Sequence, residues 1–469
     1  MPWVQGLGEC DVPAAPGFAG PRERLLARVR AAAPAHQERL RWTREQVLAE
    51  QTRALRALLA HAAARSPFWR ERLAGIDPAT APPADLARVP VATKAEMMAR
   101  WDEVVTDPTL RRAHVDSWVA RQREWDYLRE DALAAHSSGG SSGVRGVYLW
   151  DATTFTACAS VTYRHQVRDE AALPPPDRPP VKAVITAGRP PHASTPLFAA
   201  SIDPAVRSVV LPADLPPGEM VRRLEAIDPT HLIGYPSVIG RMAEEQVEGR
   251  LRIRPVRVGT NSEPLLPEVR EVMARAWGAP VNNLWGSTET GIHAVGCDHH
   301  DGLHLNEDVA IVERVDAAGA PVADDEPAEK VIVTGLVNLT LPFIRYEITD
   351  AVNLIDEPCP CGSPFRLIAD VQGRLDDDFR YGDVLVPAVS FRHALGADPH
   401  IEEYQVVQTP HGADVRLVAT GHVATDPIAR EIEDALGRAG VAGPRVDVCV
   451  VPALERNART GKLKRFVPL

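Results

Sequence analysis

The chain has 469 residues, of which 45% are hydrophobic and 25% are charged, as in an ordinary globular protein with two or three domains. Its formal net charge of −11 argues against a surface that binds nucleic acid or an anionic membrane. Its six cysteines are too few for a disulfide scaffold in a chain of this length.

The N-terminal part of the chain is predicted to be irregular and then helical. The opening residues, MPWVQGLGEC, lack the pattern of a signal peptide, and no apolar run approaches the roughly 20 residues of a membrane span. Residues 1–20 form a predicted irregular tail. Thr43 to Leu73 repeats leucine and alanine at helical spacing, and the Ser66-Pro67 pair divides it into two helices. We therefore expect a cytoplasmic enzyme or binding protein.

The middle of the chain alternates short apolar runs with helical patterns, after a proline-rich loop at Pro174–Pro180. This β-α-β-α order predicts a parallel α/β sheet. The predicted strands are Val181–Thr186, Val206–Leu211, His231–Tyr235, Val256–Val258 and Val281–Trp285. The predicted helices are Pro217–Ile227, Pro236–Glu248 and Pro267–Trp277. Later strands at Val309–Val315 and Val331–Thr334 indicate a more β-rich section.

The last hundred residues differ in character from the rest. The stretch GRLDDDFRYGD, which begins at Gly373, is charged and rich in turn residues, and it predicts a domain boundary. Beyond it we predict strands at Glu403–Gln408, Val415–Ala419 and Val446–Val451, and a helix at Pro427–Gly437. We expect a large α/β domain over residues 1–373 and a small α+β domain over residues 374–469.

A stretch rich in glycine and serine, SSGGSSGVRG, occupies Ser137 to Gly146. Glycines let backbone N–H groups converge on an anion, and serine hydroxyls add donors. The stretch is not a Walker loop, because the Gly-Lys-Ser/Thr ending is missing. The alternative interpretation is a flexible turn. The apolar residues VYLW that follow predict a strand, so the loop lies at a strand edge and not in an interdomain linker.

A second motif, NNLWGSTETG, runs from Asn282 to Gly291 at the end of a predicted strand. Ligands of open α/β sheets lie beyond the carboxyl ends of the strands. Glu289, among hydroxyl side chains, is a candidate ligand for Mg²⁺ near a phosphate. The alternative is a helix N-cap formed by Ser287 or Thr288.

Two further motifs lie towards the C-terminus. In PFIRYEITDAV, Asp350 ends a strand-like run and is either a ligand for the two hydroxyls of a ribose or a surface carboxylate. In RTGKLKRF, a Gly-Lys turn places the Lys462 ammonium on an exposed tip, or the segment is only a basic tail.

The order of these motifs along the chain resembles that of the adenylate-forming enzymes, which include acyl-CoA synthetases, luciferases and peptide-synthetase adenylation domains. The stretches LLAHAAARSPFWRERL and PVATKAEM, together with the cysteines in the middle of the chain, are similar to the phenylacetate–coenzyme A ligase branch. The resemblance covers about residues 40 to 469. It implies a large domain that binds ATP and acid, and a small mobile C-terminal lid.

The resemblance implies roles for individual residues in binding ATP. The Gly/Ser loop would close over the β- and γ-phosphates, and the loop GTNSEP would border the adenine. Glu289 would bind Mg²⁺, with Ser287 and Thr288 near the α-phosphate, and Asp350 would bind the ribose. The residues of the two loops are Ser138, Gly139, Gly140, Ser141, Ser142, Gly143, Ser262, Glu263 and Pro264.

The resemblance also implies a catalytic cycle. Lys462 would stabilise the charge that develops when a carboxylate attacks the α-phosphorus of ATP and releases pyrophosphate. Arg374 would lie near the ribose and phosphate. The small domain would then rotate at Asp376, withdraw Lys462 and admit a second nucleophile. Lys464 is a nearby alternative to Lys462, which we prefer because it directly follows Gly461.

Cysteine and histidine residues indicate a metal site in the section from about residue 297 to 361. Cys297, His304, Cys359 and Cys361 match a tetrahedral zinc site, and similar sets occur in some members of the phenylacetate ligase branch. His299 or His300 is an alternative to His304, and the other interpretation is a set of unrelated reduced thiols. Four protein ligands would make the site structural, and we expect it to brace the sheet near Glu289.

The substrates are less defined than the ATP site. Tyr235, Trp285 and His192 are candidates for lining the acid pocket, and the resemblance favours an aryl acid. Coenzyme A is the acceptor that the branch implies. Tyr381 stands where members that use coenzyme A carry an arginine, so an amine acceptor is an alternative. A further alternative is the activation of nitrite for N–N bond formation on an arylamine.

A hypothesis from another class is a nucleotide-binding regulatory protein without chemistry. Loss of Lys462 or Glu289 would have favoured it, and both residues are present. The expected partners are a small acid and a nucleophile, with neither nucleic acid nor membrane, and the branch allows a homodimer.

Overall fold

The computed structural model describes most of the chain. The described residues are 19–123, 126–138, 146–172, 177–187, 192–201, 203–213, 215–369, 371, 378–382, 384–386, 391, 394–395, 400–419, 421–456 and 463–469. No helix within these ranges is both long enough and apolar enough to cross a bilayer.

Among the described residues, six α-helices precede the first strand, and helices and strands alternate through the middle of the chain. The helices are α1 Ala19–Glu38, α2 Arg44–Arg65, α3 Pro67–Arg72, α4 Lys94–Ala99, α5 Trp101–Val104, α6 Arg112–Val119, α7 Ala152–Ala171, α8 Ser194–Ala199, α9 Pro217–Ile227, α10 Pro236–Val247, α11 Pro267–Trp277 and α12 Thr425–Arg438. The first ten strands are β1 Ala134–Ser138, β2 Gly146–Trp150, β3 Val181–Thr186, β4 Arg207–Pro212, β5 His231–Gly234, β6 Arg257–Asn261, β7 Val281–Ser287, β8 Gly291–Cys297, β9 His300–Leu305 and β10 Ala310–Val315. The others are β11 Lys330–Gly335, β12 Tyr346–Ile348, β13 Leu354–Ile355, β14 Leu367–Ile368, β15 Phe379–Tyr381, β16 Val384–Val386, β17 Ile401–Thr409, β18 Gly412–Ala419, β19 Arg445–Val450 and β20 Phe466–Val467.

A nine-stranded sheet forms the centre of the described structure, with the order β13-β14-β9-β8-β7-β6-β5-β3-β4. The five strands from β4 to β7 pair in parallel, and the rest pair antiparallel. The parallel α/β region is therefore confirmed, with an antiparallel half beside it. A second sheet, β10-β11-β12, is antiparallel.

Alternating residues of the parallel strands pack on two helical layers. Ile233 of β5 and Leu284 of β7 face α7, whereas Leu232 and Val258 face α9, α10 and α11. Both faces of the sheet are therefore buried, as parallel sheets require.

The sequence-based prediction of an irregular tail over residues 1–20 is wrong at its end, because α1 begins at Ala19. Leu25, Val29 and Ala33 recur every fourth residue and are buried, and α1 packs along α7. The two helices predicted between Thr43 and Leu73 are confirmed as α2 and α3, with Ser66 as the N-cap of α3.

The C-terminal residues form a separate four-stranded sheet in the order β19-β18-β17-β20. One side of it is covered by α12, whose Ile428, Ile432 and Leu436 are spaced by four residues and buried. This is the predicted α+β unit, with an additional short strand at β20.

A buried ion network ties the N-terminal helices to the central sheet. Arg164 of α7 donates to both carboxylate oxygens of Asp308, at 2.9 and 3.0 Å, and both side chains are fully buried. Arg39 donates to the same carboxylate at 2.9 Å. Burial by itself raises the pKa of Asp308, but Arg164 and Arg39 outweigh it and the pKa lies below its ordinary value.

Replacing Asp308 with alanine is expected to lower the free energy of unfolding by about 3–5 kcal/mol, because Arg164 would stay buried without its carboxylate. Urea denaturation at pH 7 measures the change. The matched control is Arg41→Ala, which removes an exposed pair with Glu38 and is expected to cost less than about 1 kcal/mol.

The contribution of Asp308 also has a defined pH dependence. Its pKa is depressed in the folded state, so its stabilisation is present above the ordinary aspartate pKa and is lost as the pH falls through the folded value. Equal effects of Asp308→Ala and Arg41→Ala would contradict this account of the network.

Candidate functional site

The ends of β1 and β2 frame the Gly/Ser stretch. The two strands pair antiparallel with Ser138 opposite Gly146, so the two ends of the stretch lie on neighbouring strands. This confirms the expectation that it lies at a strand edge. Residues 139–145, which include Gly139, Gly140, Ser141, Ser142 and Gly143, lie outside the described residues.

The second motif forms the turn between β7 and β8. Because only three residues lie between the end of β7 at Ser287 and the start of β8 at Gly291, the turn is a β-hairpin and the helix N-cap alternative is wrong. Ser287 Oγ accepts from the Thr290 backbone N–H at 3.2 Å. A Cβ at Gly286 would lie 2.7 Å from the Gly291 carbonyl oxygen, so this close approach requires glycine.

Glu289 projects from this turn and accepts a hydrogen bond from the Tyr148 hydroxyl, with 2.6 Å between the oxygens. Trp150 donates from its indole to the Thr288 carbonyl at 2.9 Å. Strand β2, which follows the Gly/Ser stretch, is therefore fastened to the turn that carries Glu289.

Tyr148 was missed by the sequence analysis. Its side chain is fully buried, and its hydroxyl passes over Gly146, where a Cβ would lie only 1.9 Å from the hydroxyl oxygen. Tyr346 hydrogen-bonds to Tyr148, and burial together with the charge of Glu289 raises the pKa of Tyr346. Gly146 thus has a steric reason to be glycine that is independent of the anion-binding interpretation.

Asp350 follows β12 and is 3% exposed, so it is not a surface carboxylate. Its Oδ2 accepts from the Trp285 indole N–H at 2.6 Å. The Trp285 ring also meets the edge of His293, whose pKa falls to about 4 because the ring is buried. Asp350 is therefore held beside β7, immediately before the Glu289 turn.

The loop after β6 brings the C-terminal residues to the same edge of the sheet. Glu263 Oε2 accepts from the Ser237 backbone N–H at 3.1 Å, and its Oε1 accepts from the Leu463 backbone N–H at 3.1 Å. Ser262, just before it, has a left-handed φ of 67°, a backbone strain typical of functional loops. Arg456 reinforces the contact through a 3.0 Å hydrogen bond to Ser237 Oγ.

Pro264 closes this loop before α11 begins. Lys462 lies outside the described residues, as do Arg374 and Asp376. The neighbour of Lys462, Leu463, is nevertheless placed against Glu263.

The three candidate pocket residues lie at different places. The Tyr235 hydroxyl is buried and accepts from the Ala187 backbone N–H at 3.1 Å. Trp285 packs on the sheet face opposite α7 and holds Asp350. His192 is half-buried just before α8. Their role in binding an acid stays a prediction.

Cys297, His304, Cys359 and Cys361 form a cluster whose ligand atoms all lie within 4.8 Å of one another. The sulfurs of Cys297 and Cys359 are 3.5 Å apart, and Cys361 Sγ is 3.3 Å from His304 Nε2. These separations fit a tetrahedron with metal–ligand bonds of about 2.0–2.3 Å. Hydrogen bonding from the Cys297 thiol, and then His304, lowers the pKa of Cys361, whereas the pKa values of Cys297 and Cys359 are raised.

The other two histidines of this section have different partners. His299 lies 3.7 Å from Asp169, and His300 Nδ1 accepts from the Gly302 backbone N–H. The expectation that the cluster braces the sheet near Glu289 is wrong in position. Cys297 ends β8 six positions after Gly291, a distance of about 20 Å along an extended strand.

Helix α7 contacts the cluster. The buried His165 ring stacks on His304 with ring centres 4.7 Å apart, and Arg168 donates to the Cys361 carbonyl at 3.4 Å. The cluster therefore joins α7, β8, β9 and the Cys359 loop at the end of the sheet away from Glu289.

No family model matches this chain. It is 25% identical over 394 residues to phenylacetate-coenzyme A ligase of Thermus thermophilus, a match that covers 79% of this chain and 80% of that protein. It is 27% identical over 139 residues to Protein CapK of Staphylococcus aureus, and the chain spans only 29% of the length of that relative.

Among solved structures, 2-hydroxyisobutyryl-CoA ligase in the postadenylation state matches with a TM-score of 0.70 at 19% identity, over 89% of this chain and 88% of that one. The same ligase in the thioesterification state matches with a TM-score of 0.55. The fold and the ligase relative place the chain in the adenylate-forming superfamily. The phenylacetate–coenzyme A ligase branch, to which the sequence motifs pointed, includes the relative that matches over most of the chain.

Proposed function

We propose that the chain is an AMP-forming ligase that activates a carboxylic acid with ATP and then transfers the acyl group to coenzyme A. The observation that carries the proposal is the convergence of four motifs at one edge of the sheet. Four groups lie at the carboxyl ends of β6 and β7 or are bonded to residues there: Glu289, Asp350, Glu263 and the backbone of Leu463 beside Lys462. Ligands of α/β sheets bind at this edge.

The chemistry explains why these residue types are needed. A carboxylate is a poor electrophile because its leaving group would be oxide. In the first half-reaction its oxygen bonds to the α-phosphorus of ATP while the bond from that phosphorus to pyrophosphate breaks. The buried Asp350 would accept the ribose hydroxyls, and Glu289 would hold Mg²⁺ on the phosphates. Lys462 would neutralise the charge that develops on the phosphoryl oxygens.

Two observations support adenylation as the reaction of the present conformation. Leu463, the residue after Lys462, donates to Glu263 in the loop assigned to the adenine. The fold also matches the postadenylation state of its structural neighbour better than the thioesterification state. Rotation at Asp376, with Arg374 beside it, would then withdraw Lys462 for the second half-reaction.

A second candidate function has a non-CoA acceptor such as an amine. It is favoured by Tyr381, which stands where branch members that use coenzyme A carry an arginine. Its hydroxyl donates to the Gly412 carbonyl at 2.7 Å, so the side chain is a packing element of the small C-terminal sheet and offers no cation. The nitrite alternative shares the same ATP half-reaction.

Pyrophosphate release with ATP and Mg²⁺ tests the proposal. The panel would contain aryl acids, alkyl acids, short hydroxy acids and nitrite, each with and without coenzyme A or an arylamine. Acid-dependent release that requires Glu289 and Lys462 is expected. ATP binding without release for the whole panel would contradict the proposal and favour a regulatory nucleotide-binding protein.

We also propose that the Cys297, His304, Cys359 and Cys361 cluster holds a structural Zn²⁺. Three thiol sulfurs and one imidazole are ligands that zinc prefers, and four protein ligands leave no position for a substrate. Because zinc binding is coupled to folding, the ion would stabilise the junction between α7 and the end of β8.

The purified protein is expected to contain about one zinc per chain by elemental analysis. Cys359→Ser should lose the metal and lower the thermal midpoint by about 5 °C or more, because the cluster joins four segments. Cys449→Ser is the matched control, since Cys449 is exposed on β19 and far from the cluster in sequence. Identical metal content in the two variants would contradict the assignment.

A further inference from the structure

A buried histidine lies next to the turn that carries Glu289. His293 is the third residue of β8, and its side chain is fully buried. Its ring meets the edge of the Trp285 ring, with ring centres 4.5 Å apart, and its backbone carbonyl accepts from the Asn306 N–H at 2.6 Å. His293 is therefore held in place by residues of the segments on both sides of β8.

Hydrogen bonds connect His293 to Ser287 through Thr290. The Nε2 atom of His293 lies 2.5 Å from Thr290 Oγ1, which lies 2.9 Å from Ser287 Oγ. Ser287 Oγ also accepts from the Thr290 backbone N–H at 3.2 Å. Through one intervening side chain, His293 thus reaches the serine that the family resemblance places near the α-phosphate.

The other ring nitrogen of His293, Nδ1, is buried and makes no hydrogen bond to any residue that the structure describes. Burial lowers the pKa of His293 to about 4, so the ring is neutral at pH 7 and carries a single hydrogen. With that hydrogen on Nδ1, a buried N–H would lack an acceptor, and such groups are rarer in folded proteins than acceptors with an unused lone pair. The hydrogen therefore belongs on Nε2, where Thr290 Oγ1 accepts it.

This position of the hydrogen sets the direction of the remaining bonds. Thr290 Oγ1 accepts from His293, so its own hydrogen goes to Ser287 Oγ, the other acceptor bonded to it among the described residues. Ser287 Oγ then accepts from both the hydroxyl and the backbone N–H of Thr290, which occupies both of its lone pairs. The Ser287 hydroxyl can therefore act only as a donor, and the ligand that it meets must be an acceptor such as a phosphate oxygen.

We infer that His293 is a positioning residue of the nucleotide site, which acts through Thr290 to make the Ser287 hydroxyl a dedicated donor to a phosphate oxygen. The inference rests on the proposed function for the identity of that oxygen, which belongs to the α-phosphate of ATP. A donor whose direction is set before the ligand arrives stabilises the charge that develops on phosphoryl oxygens without reorganisation during the reaction.

The tautomer of His293 is measured directly by ¹⁵N NMR on the full-length protein with ¹⁵N-labelled histidine. The spectrum of His293→Gln identifies the signals of this ring by their loss. A neutral ring with its hydrogen on Nε2 is expected at pH 7. A hydrogen on Nδ1, or a charged ring, would overturn the inference.

Substitutions at Thr290 test the consequence for activity. Thr290→Val keeps the shape of the side chain but removes the hydroxyl, so the Ser287 hydroxyl loses its fixed direction. We expect kcat for acid-dependent pyrophosphate release to fall by about 10-fold or more, with KM for ATP changed much less. Thr290→Ser restores the hydroxyl and should recover most of the lost kcat, whereas a role in packing alone would favour the valine variant, which keeps the volume.

The two Thr290 variants also separate this inference from the proposed function. Pyrophosphate release that is equal in Thr290→Val and Thr290→Ser would overturn the inference and leave adenylation established. If the wild type releases no pyrophosphate with any acid, calorimetry with AMP as the probe decides. AMP affinity at least about 10-fold lower in Thr290→Val than in Thr290→Ser would then support the role of His293 and refute adenylation, and equal affinities would refute both.

Discussion

Replacing Lys462 with alanine is expected to lower kcat for acid-dependent pyrophosphate release by about 100- to 1,000-fold, with KM for ATP changed much less. The reason is that its ammonium would meet charge that appears on the phosphoryl oxygens only in the transition state, so its loss raises the barrier more than it weakens ground-state binding. The measurement is steady-state pyrophosphate release with the preferred acid.

The matched control for this prediction is Lys464→Ala. Lys464 is exposed, and its backbone carbonyl accepts from the Gln405 amide at 2.9 Å, a bond that the substitution keeps. The activity of Lys464→Ala should stay within about twofold of wild type, because the substitution changes only a surface charge. Similar losses in both variants would show that the motif assigns the wrong lysine or that the segment acts only as a basic tail.

Lys462→Ala also distinguishes the two half-reactions. If domain rotation withdraws Lys462 before the second step, Lys462→Ala should still transfer the acyl group from a supplied acyl-adenylate to its acceptor at nearly the wild-type rate. Loss of both half-reactions would argue against withdrawal of the lysine.

Glu289→Gln is expected to lower kcat/KM for MgATP by about 100-fold or more and to raise the Mg²⁺ concentration needed for half-maximal activity. Glutamine has nearly the shape of glutamate and can still accept from Tyr148, so the change isolates the loss of charge at the proposed Mg²⁺ ligand. A Mg²⁺ titration at saturating ATP and acid measures it. Unaltered Mg²⁺ dependence would contradict the role of Glu289.

Tyr148→Phe tests how Glu289 is positioned. Hydrogen bonds to charged groups contribute about 1.5–3 kcal/mol, so we expect an increase of about 10-fold in the required Mg²⁺ concentration, smaller than for Glu289→Gln. Tyr381→Phe removes a tyrosine hydroxyl that donates to the Gly412 carbonyl and should leave the Mg²⁺ dependence unchanged. Identical behaviour of the two phenylalanine variants would show that Tyr148 does not position Glu289.

The regular elements were predictable where hydrophobic periodicity was local. The strand Val181–Thr186 and the helices Pro217–Ile227 and Pro267–Trp277 have the predicted bounds, because Pro begins both helices and apolar runs form the buried strand. Helix α1 had no comparable signal. Its buried positions include Leu25, Val29 and Ala33, and the partner that buries them, α7, lies more than a hundred residues away in sequence.

For the metal cluster, too, the sequence predicted residue types but not the position in the fold. Its three cysteines and a set of three candidate histidines were identifiable from residue type, but the choice of His304 and the position of the cluster were not. The hairpin β7–β8 places Glu289 at one end of β8 and Cys297 at the other, and strand rise alone separates the two sites.

By itself, the sequence determined the elements with strong local periodicity, the order of the motifs and the three cysteines of the cluster, because each depends on residue type and spacing along the chain. Only the tertiary structure decided which side chains meet. Tyr148 reaches Glu289 across 141 residues, and Glu263 meets Leu463 across 200. Such contacts are set by the packing of whole elements, which no local pattern of residues records.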